Sequence, residues 1–409
     1  MDATSSSARR WLGRAPALAG AVAGSVWLWR NQGDLMMRRP VNEWTFTHMH
    51  ALMPKTVVPR AASVSVLPER SPGAEGAGEI DARYTFGGFE RSLADLHKRT
   101  FTTSFLVLHR GAIVHESYPG RFAGPGVRFQ AFSLTKSVTS ILIGIALAEG
   151  AIKSVDDAVV AYCPDLVGSA FDGPTVEHLL NMSSGAGAIE DWTIPESAIN
   201  RFERAVTAGG SVLEVIRSLP TMSEPGIAFN YSTIDTQVLG WVLEGATGMP
   251  MAEYAATRLW NRIGTEHDAY YFLTRGRPRT ALGGGSLNAS TRDLARIGLL
   301  MARGGAHGGE QIVPEAWVAR SRGHDLPHVA VGALGPSGYP HYGYANQWWT
   351  LGGERRAFTG IGVFGQYLYV DPDADVVIVK TSAWPAADDE GLDRETITAL
   401  RALVAHLAG

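Results

Sequence analysis

The sequence predicts an α+β fold in which one antiparallel sheet is built from both ends of the chain. Two apolar runs, residues 105–109 and 112–115, are separated by Arg110-Gly111 and are typical of a β-hairpin. Strand patterns return only near the end of the chain, in residues 347–351, 366–370 and 376–381. Because the intervening region of about 150–330 has mainly helical periodicity, we expect it to form a helical subregion beside the sheet.

Helical periods near 3.6 residues account for most of that middle region. The predicted helices are residues 175–180, 212–219, 236–247, 252–263 and 291–303. Residues 288–293 supply N-cap chemistry for the last of these, and a closing helix is predicted over 392–407. The segment 133–150 is apolar on nearly every face, which predicts a buried helix rather than an amphipathic one.

We expect an N-terminal tail over residues 1–40 and a single domain over 41–409, with 68–78 as a linker or loop. Arg9-Arg10 precedes an apolar stretch, 15–29, that has the length of an export-signal core and is short for a membrane span of about 20 residues. A loosely ordered extension is favoured over a signal, because the one small-x-small site lies inside the stretch. A cytoplasmic location is therefore expected, with export left open.

Composition excludes several classes of function. The formal net charge of −4 over 409 residues provides no basic stripe for nucleic acid, and no segment after the N-terminal stretch could cross a membrane. Cys163 is the single cysteine and cannot form an internal disulfide, so a structural role is expected for it. The histidines match no zinc-binding pattern, and neither a metal nor a cofactor is expected.

The sharpest chemical signal is Ser133-Leu134-Thr135-Lys136 at the start of the buried helix. Residues three apart on a helix share a face, so the serine hydroxyl and the lysine amine are within reach of each other. Removing the proton of an ordinary lysine at pH 7 costs about 4.6 kcal/mol, and apolar burial lowers that cost. The free N–H groups of the helix N-terminus favour negative charge at the serine oxygen. Ser133 is thus a candidate nucleophile and Lys136 its candidate base.

Two further segments fit this chemistry. Tyr231, in Tyr231-Ser232-Thr233 just before a helix, is a candidate proton relay between the nucleophile and the leaving group. Gly360-Ile361-Gly362 precedes a strand, and its glycines would let backbone approach a substrate, with the Ile361 N–H as an oxyanion donor.

Together these motifs resemble the penicillin-recognising serine hydrolases: class C β-lactamases, D-alanyl-D-alanine peptidases and family VIII carboxylesterases. The 6-aminohexanoate-dimer hydrolase branch is the most similar. Supporting stretches lie at 178–185, 283–285, 291–296 and 365–372, and the resemblance covers about residues 40–405. It implies a β-lactamase/transpeptidase-like fold, an acyl-enzyme on Ser133, Lys136 as base and Tyr231 as proton relay. It also implies an oxyanion hole formed by the N–H groups of Ser133 and Ile361.

Departures from the family pattern bear on the substrate. Where β-lactamases and peptidases carry Lys-Thr-Gly or His-Thr-Gly, this chain has Gly360-Ile361-Gly362, which lacks the cation that helps bind a substrate carboxylate. The tyrosine motif ends in Thr233, where class C enzymes have Asn. In the 6-aminohexanoate-dimer hydrolase branch a tyrosine contacts the scissile amide, and the matching segment of this chain has Trp192. An indole donates one hydrogen bond but relays no proton.

The remaining sequence signals have alternative interpretations. Gly360-x-Gly362-x-x-Gly365 also matches a dinucleotide fingerprint, but a strand follows it instead of the required helix. A Gly-x-Ser-x-Gly nucleophile elbow is absent from the sequence. Trp348 belongs to an aromatic cluster that would either line an acyl pocket or fill the core of the sheet.

The sequence therefore predicts a serine hydrolase that cleaves small linear esters or amides, with carboxylesterase activity favoured. The predicted substrate-binding residues are Trp192, Trp348, Gly360 and Gly362. A 6-aminohexanoate-oligomer amidase is the alternative within enzymes, and a sensor that is acylated without turnover is the alternative of another class. No nucleic-acid or membrane partner is expected, and a homodimer is left open.

Overall fold

The computed structural model describes residues 35–70, 80–323, 325–335 and 340–409. The helices, in chain order, are α1 (Val41–His48), α2 (Leu93–Arg99), α3 (Leu134–Ala148), α4 (Val176–Leu180), α5 (Ala198–Ala208), α6 (Val212–Arg217), α7 (Thr233–Thr247), α8 (Met251–Ala255), α9 (Thr291–Ala302), α10 (Glu315–Ser321) and α11 (Glu390–Ala408). The strands are β1 (Lys55–Val58), β2 (Arg83–Phe86), β3 (Phe89–Ser92), β4 (Thr102–His109), β5 (Ala112–Ser117), β6 (Arg128–Gln130), β7 (Ala269–Phe272), β8 (Leu287–Ser290), β9 (Ala306–His307), β10 (Glu310–Gln311), β11 (Tyr342–Ala345), β12 (Trp348–Leu351), β13 (Phe358–Gly362), β14 (Gln366–Asp371) and β15 (Val376–Ser382).

The main sheet confirms the prediction of an antiparallel sheet made from both ends of the chain. Across the described ranges its strand order is β11-β12-β13-β14-β15-β4-β5, and each neighbouring pair is antiparallel. The predicted hairpin forms β4 and β5, with Arg110 and Gly111 at its turn. Strand β15 pairs with β4, placing Ile378 opposite Val107, and this pairing joins the C-terminal strands to the N-terminal hairpin.

The sheet is buried on both faces, which explains why its central strands read as continuous apolar runs. Along β4, Leu106 and Leu108 belong to the core on the side of α3 and α9, whereas Phe105 and Val107 belong to the core under α2 and α11. This alternation follows from the two-residue period of side chains along a strand. The sheet is therefore the middle layer of an α+β arrangement with helices on either side.

Helix α3 is the buried helix that the apolar segment predicted. Its residues from Leu134 to Ala146 are all buried, and it lies against β13 on one side and α7 on another. At Gly144 a Cβ atom would lie 2.6 Å from the Trp317 ring, so the glycine permits close packing of α10. A helix packed on this many sides needs no polar face.

The middle of the chain is less uniformly helical than predicted. Within the described residues a second antiparallel sheet has the order β1-β7-β8-β6. The predicted helix over 252–263 is α8 followed by a π-helical turn over Ala256–Trp260, and α5 was not predicted. Short buried runs such as β7 are ambiguous between helix and strand when periodicity alone is considered.

Most of the predicted N-terminal tail lies outside the residues that the structure describes. Residues 1–34, with the twin arginines and the apolar stretch, lie outside the described residues, as do 71–78 of the predicted linker. Just before residue 41, the Arg39 guanidinium donates a hydrogen bond of 3.0 Å to the Ala383 carbonyl, and α1 and β1 precede the β4–β5 hairpin. Among the described helices, none has the length and apolar character that a membrane span requires.

Candidate active site

Ser133 lies at a sharp turn between β6 and α3. The preceding residue, Phe132, has a φ of 48°, which is the left-handed region and is unusual for a bulky side chain. Its ring is held by edge contact with Phe46 at 4.8 Å and by Phe364 at 5.4 Å between centroids. Packing thus maintains a strained backbone that presents Ser133 at the N-cap of α3.

Lys136 follows one turn later, and its amine lies beside the serine hydroxyl as the spacing predicted. The Nζ atom donates to Ser133 Oγ at 2.9 Å, to Thr233 Oγ1 at 2.9 Å and to the Gly284 carbonyl at 2.8 Å. The side chain is buried, with 1% of the residue exposed. All three hydrogens of an ammonium group are therefore used, and one of them is directed at the candidate nucleophile.

The surroundings of Lys136 favour its neutral form. Desolvation by burial lowers its pKa from 10.5 to about 8, although the carboxylates of Glu190 and Glu203 oppose this shift. A pKa near 8 reduces the cost of the free amine at pH 7 to about 1.4 kcal/mol. The pKa of Lys136 is thus close to the value that suits a general base near neutral pH.

Tyr231 lies against the same two residues. Its hydroxyl is hydrogen-bonded to Ser133, and the Lys136 Nζ is 5.0 Å from its ring centroid. Burial, reinforced by the Glu190 carboxylate, raises the pKa of Tyr231 well above its usual value, so the phenol keeps its proton near neutral pH.

The backbone around Tyr231 is fixed by two anchors. The Asn230 N–H donates to the Met182 carbonyl at 2.7 Å, and the Ser232 hydroxyl caps α7 by accepting from the Asp235 N–H at 3.0 Å. These contacts hold the tyrosine just outside the helix, at the position that the motif predicted.

The glycine motif forms the last three residues of β13 instead of a loop that leads into a strand. At Gly360 a Cβ atom would lie 2.9 Å from Ser137 Oγ, and at Gly362 it would lie 2.3 Å from the Ala131 carbonyl oxygen. The absence of side chains therefore lets β13 approach the backbone that leads into Ser133. Ile361, between them, is partly buried and lies opposite Tyr367 in the sheet.

The two neighbouring tryptophans of β12 point to opposite faces. Trp349 stacks on the Tyr231 ring, with centroids 5.3 Å apart and planes at 29°, and meets Tyr344 edge-on at 5.1 Å. Trp348 is fully buried in the other core cluster, with its ring edge-on to Phe358 at 5.0 Å. The position of Trp348 favours its sheet-core alternative, and Trp349 instead forms the aromatic wall beside Tyr231.

Trp192 lies on a loop that approaches the site through a different residue. The tryptophan is 49% exposed, and its carbonyl accepts from the Asn200 side chain at 3.1 Å. Glu190, two residues earlier, accepts from both the N–H and the hydroxyl of Thr233. The role of Trp192 in substrate binding stays a prediction, while Glu190 belongs to the hydrogen-bonded group around Lys136.

Glu190 and Glu203 are the site residues that sequence reasoning missed. Burial and the neighbouring Glu190 raise the pKa of Glu203 to about 7, and both carboxylates act electrostatically on Lys136. Glu203 lies on α5, a helix that the sequence analysis did not predict, and neither carboxylate is part of a motif.

Cys163 and the histidines lie apart from this chemistry. Cys163 is buried, and burial raises the pKa of its thiol to about 12, as suits a structural residue. Among the described residues, no group of three or more His, Cys, Asp or Glu side chains is arranged to hold a metal ion.

Sequence comparisons relate most of the chain to a known family. A family model described as Beta-lactamase matches residues 89–402. The 6-aminohexanoate-dimer hydrolase of Paenarthrobacter ureafaciens is 32% identical over 380 residues, which cover 90% of this chain and 91% of that protein.

Two solved structures share the fold. A provisionally assigned 6-aminohexanoate-dimer hydrolase from Bacillus anthracis superposes with a TM-score of 0.79 at 24% identity, covering 91% of this chain and 96% of that chain. A family VIII carboxylesterase superposes with a TM-score of 0.57 at 17% identity, covering 75% and 95% of the two chains. At these identities the likeness establishes a common architecture.

Proposed function

The chain belongs to the Beta-lactamase family of hydrolases, and from this premise we propose that it cleaves small linear carboxylic esters through an acyl-enzyme on Ser133. One observation carries the proposal: a buried lysine amine with a lowered pKa lies 2.9 Å from the Ser133 hydroxyl. A serine hydroxyl is a weak nucleophile until a base removes its proton, and Lys136 is placed to do so.

In the proposed reaction, Ser133 Oγ attacks the substrate carbonyl while its proton passes to the neutral Lys136 amine. The N–H groups of Ser133 and Ile361 are proposed to stabilise the resulting oxyanion. Collapse of the tetrahedral intermediate breaks the bond between the carbonyl carbon and the alkoxy oxygen of the ester, and Tyr231 passes the proton to the departing alcohol. A water molecule then attacks the acyl-enzyme, releases the acid and returns the proton to Ser133.

Tyr231 and Lys136 divide the proton transfers because their pKa values move apart. A phenol whose pKa is raised is a poor base near pH 7, whereas a lysine with a pKa of about 8 has a substantial neutral fraction. This supports Lys136 as the base. Tyr231 is then a proton donor that is reprotonated through Ser133 and Lys136.

Replacement of Ser133 is the direct test. We expect Ser133→Ala to abolish turnover of a p-nitrophenyl ester and covalent labelling by a fluorophosphonate, with an unchanged thermal unfolding midpoint. Ser140→Ala is a matched control, because Ser140 lies on the same helix and its buried hydroxyl has no hydrogen-bond partner among the described groups. Retained turnover in Ser133→Ala would contradict the proposal, as would an acylation burst without steady-state turnover in the wild type.

The ester preference rests on the surroundings of the site. The motif position occupied by a cation in β-lactamases is Gly360 in this chain, inside a strand that packs against α3. Trp192, half exposed, offers one indole donor and no group that relays a proton to an amine. An alkoxide or phenoxide leaves more readily than an amine, so an ester needs less of this assistance.

A second candidate function is hydrolysis of 6-aminohexanoate oligomers. It is favoured by the 32% identity with a 6-aminohexanoate-dimer hydrolase along nearly the whole of both chains.

A matched substrate series separates the two functions. We expect kcat/KM for p-nitrophenyl butyrate to exceed that for the butyryl amide of p-nitroaniline and for nitrocefin by at least about 100-fold, because the leaving group and the missing cation both favour the ester. Spectrophotometric rates on one enzyme preparation measure this, with 6-aminohexanoate dimer followed by chromatography. Faster cleavage of the dimer than of the ester would establish the amidase instead.

A further inference from the structure

Thr233 connects the candidate base to a carboxylate. It is the first residue of α7, and its hydroxyl lies 2.9 Å from Lys136 Nζ and 3.1 Å from Glu190 Oε1. The second oxygen of the same carboxylate, Oε2, accepts the Thr233 backbone N–H at 2.7 Å. The carboxylate therefore holds one residue by two hydrogen bonds, at a helix N-terminus where negative charge is favourable.

We propose that Glu190 and Thr233 are positioning residues that keep the lone pair of neutral Lys136 directed at the Ser133 hydroxyl. The proposal rests on the function proposed above and names the residues that orient its base.

The number of hydrogens on Nζ limits the hydrogen bonds that the Lys136 amine can donate. A protonated lysine has three N–H donors, and the structure supplies three oxygens for them, on Ser133, Thr233 and Gly284. When the amine is neutral it has two hydrogens and one lone pair. The Gly284 carbonyl is an acceptor only, so it takes one of the two hydrogens.

The second hydrogen decides where the lone pair points. The Thr233 hydroxyl can either accept it or donate its own hydrogen to the amine. A carboxylate is a stronger hydrogen-bond acceptor than an amine, so the Thr233 hydroxyl donates its hydrogen bond to Glu190. The Thr233 oxygen is then left to accept a hydrogen bond from Lys136. The lone pair then faces Ser133, whose proton it removes.

Other charged and titratable groups around the amine do not make this connection. Glu203, from α5, acts on Lys136 through its charge, and Tyr231 presents its ring to the amine at 5.0 Å. Of the two carboxylates, Glu190 is the one joined to Lys136 through a hydroxyl in the described structure, whereas the Tyr231 phenol is linked to the amine through the Ser133 hydroxyl. Glu190 and Glu203 both raise the pKa of Lys136 against the larger effect of burial.

Substitutions at Thr233 test the hydrogen count. Thr233→Val removes the hydroxyl at nearly constant shape, and we expect about a 10- to 100-fold loss in kcat/KM for the ester. Thr233→Ser restores the hydroxyl and should remain within about threefold of the wild type, because it rebuilds both hydrogen bonds. An unfolding midpoint measured for each variant identifies losses that come from misfolding, and wild-type activity in Thr233→Val would overturn the proposal.

Glu190→Gln tests the carboxylate with a readout that a merely structural role would not move. Removing its charge should lower the pH at which the acid limb of the kcat/KM profile falls, and the plateau should drop about tenfold, because a neutral amide oxygen accepts the Thr233 hydrogen bond more weakly than a carboxylate. Glu196→Gln is the matched control, because it removes a carboxylate from the same loop. The Glu196 side chain is 80% exposed and is paired with Arg204. An unmoved acid limb in Glu190→Gln would contradict the proposal.

The double variant distinguishes a chain of contacts from two separate effects. If Glu190 acts through Thr233, Glu190→Gln should cost little further plateau activity in the Thr233→Val background, whereas independent roles would multiply the losses. Fluorophosphonate labelling of Ser133 separates the two levels of the proposal. Wild-type enzyme that is not labelled removes the proposed function and this inference with it, whereas equal labelling rates of wild type and Thr233→Val remove the inference alone.

Discussion

Lys136 illustrates, for a single residue, how burial turns an ordinary side chain into a candidate base. Its amine is enclosed by α3, by the start of α7 and by the loop that contains Gly284, and desolvation lowers its pKa to about 8. The two nearby carboxylates limit the shift and keep the protonated form accessible. A base that must take up and return a proton in each turnover benefits from both effects.

The pH dependence of activity follows from this pKa. In the proposed mechanism the neutral amine is the active form, so kcat/KM should rise as pH increases through about 8 and level off above it. Initial rates on an ester of low spontaneous hydrolysis, from pH 6 to 9.5, measure the curve. Lys136→Arg is the control, since a guanidinium stays protonated and should be inactive throughout. A wild-type rate that is flat across this range would contradict Lys136 as the base.

Among residues, the sequence was informative where chemistry lies in a short motif. Ser133 and Lys136 share one helical turn, so their proximity could be predicted from the helical period. Glu190 could not be found in this way, because it reaches Thr233 across 43 positions of the chain. The aromatic wall shows a related limit: side-chain alternation makes Trp348 and Trp349 point to opposite faces, but the local sequence does not say which face meets Tyr231.

Among elements, β13 affects the geometry of the site through its two glycines. Its two glycines let the strand run beside the segment that leads into α3, and a side chain at Gly362 would meet a backbone oxygen that cannot rotate away. The strand and the start of α3 are thus held at a separation that only glycine allows.

Gly362→Ala should therefore impair both activity and stability. The new methyl group would displace β13 or the Ala131 carbonyl, and we expect a loss of about 100-fold in kcat/KM together with about 1–3 kcal/mol in the free energy of unfolding. Ester hydrolysis and urea denaturation measure the two effects. Gly173→Ala is the control, because a Cβ atom there meets nothing within 4 Å. Wild-type activity in Gly362→Ala would show that the close approach of β13 is dispensable.

Long elements with a strong period were predicted well, and short buried ones were not. Helices α3, α9 and α11 agree with the predicted segments to within about two residues at each end. The second sheet was missed because β1, β7 and β8 have four residues each and β6 has three, too few to establish a period of two. Their pairing also joins segments more than 150 residues apart, as in β1 with β7.

Across the whole molecule, the two ends of the chain are joined by the sheet and by a buried carboxylate. Glu395 of α11 accepts from the Tyr84 hydroxyl of β2 at 2.9 Å and from the guanidinium groups of Arg91 and Arg99. Desolvation alone would raise the pKa of this carboxyl, but these hydrogen bonds and charges hold it below its usual value. The closing helix is thereby attached to β2, to β3 and to α2.

The sequence by itself determined the α+β class and the Ser133, Lys136 and Tyr231 motifs, because each depends on periods or spacings within short segments, and it indicated the sheet because strand patterns occur towards both ends of the chain. Tertiary structure alone decided that Glu190 meets Thr233, that Trp349 faces Tyr231 and that β13 lies against the start of α3. These contacts depend on strand register and on packing between distant segments, and a shift of one residue in register would reverse the faces that the side chains occupy.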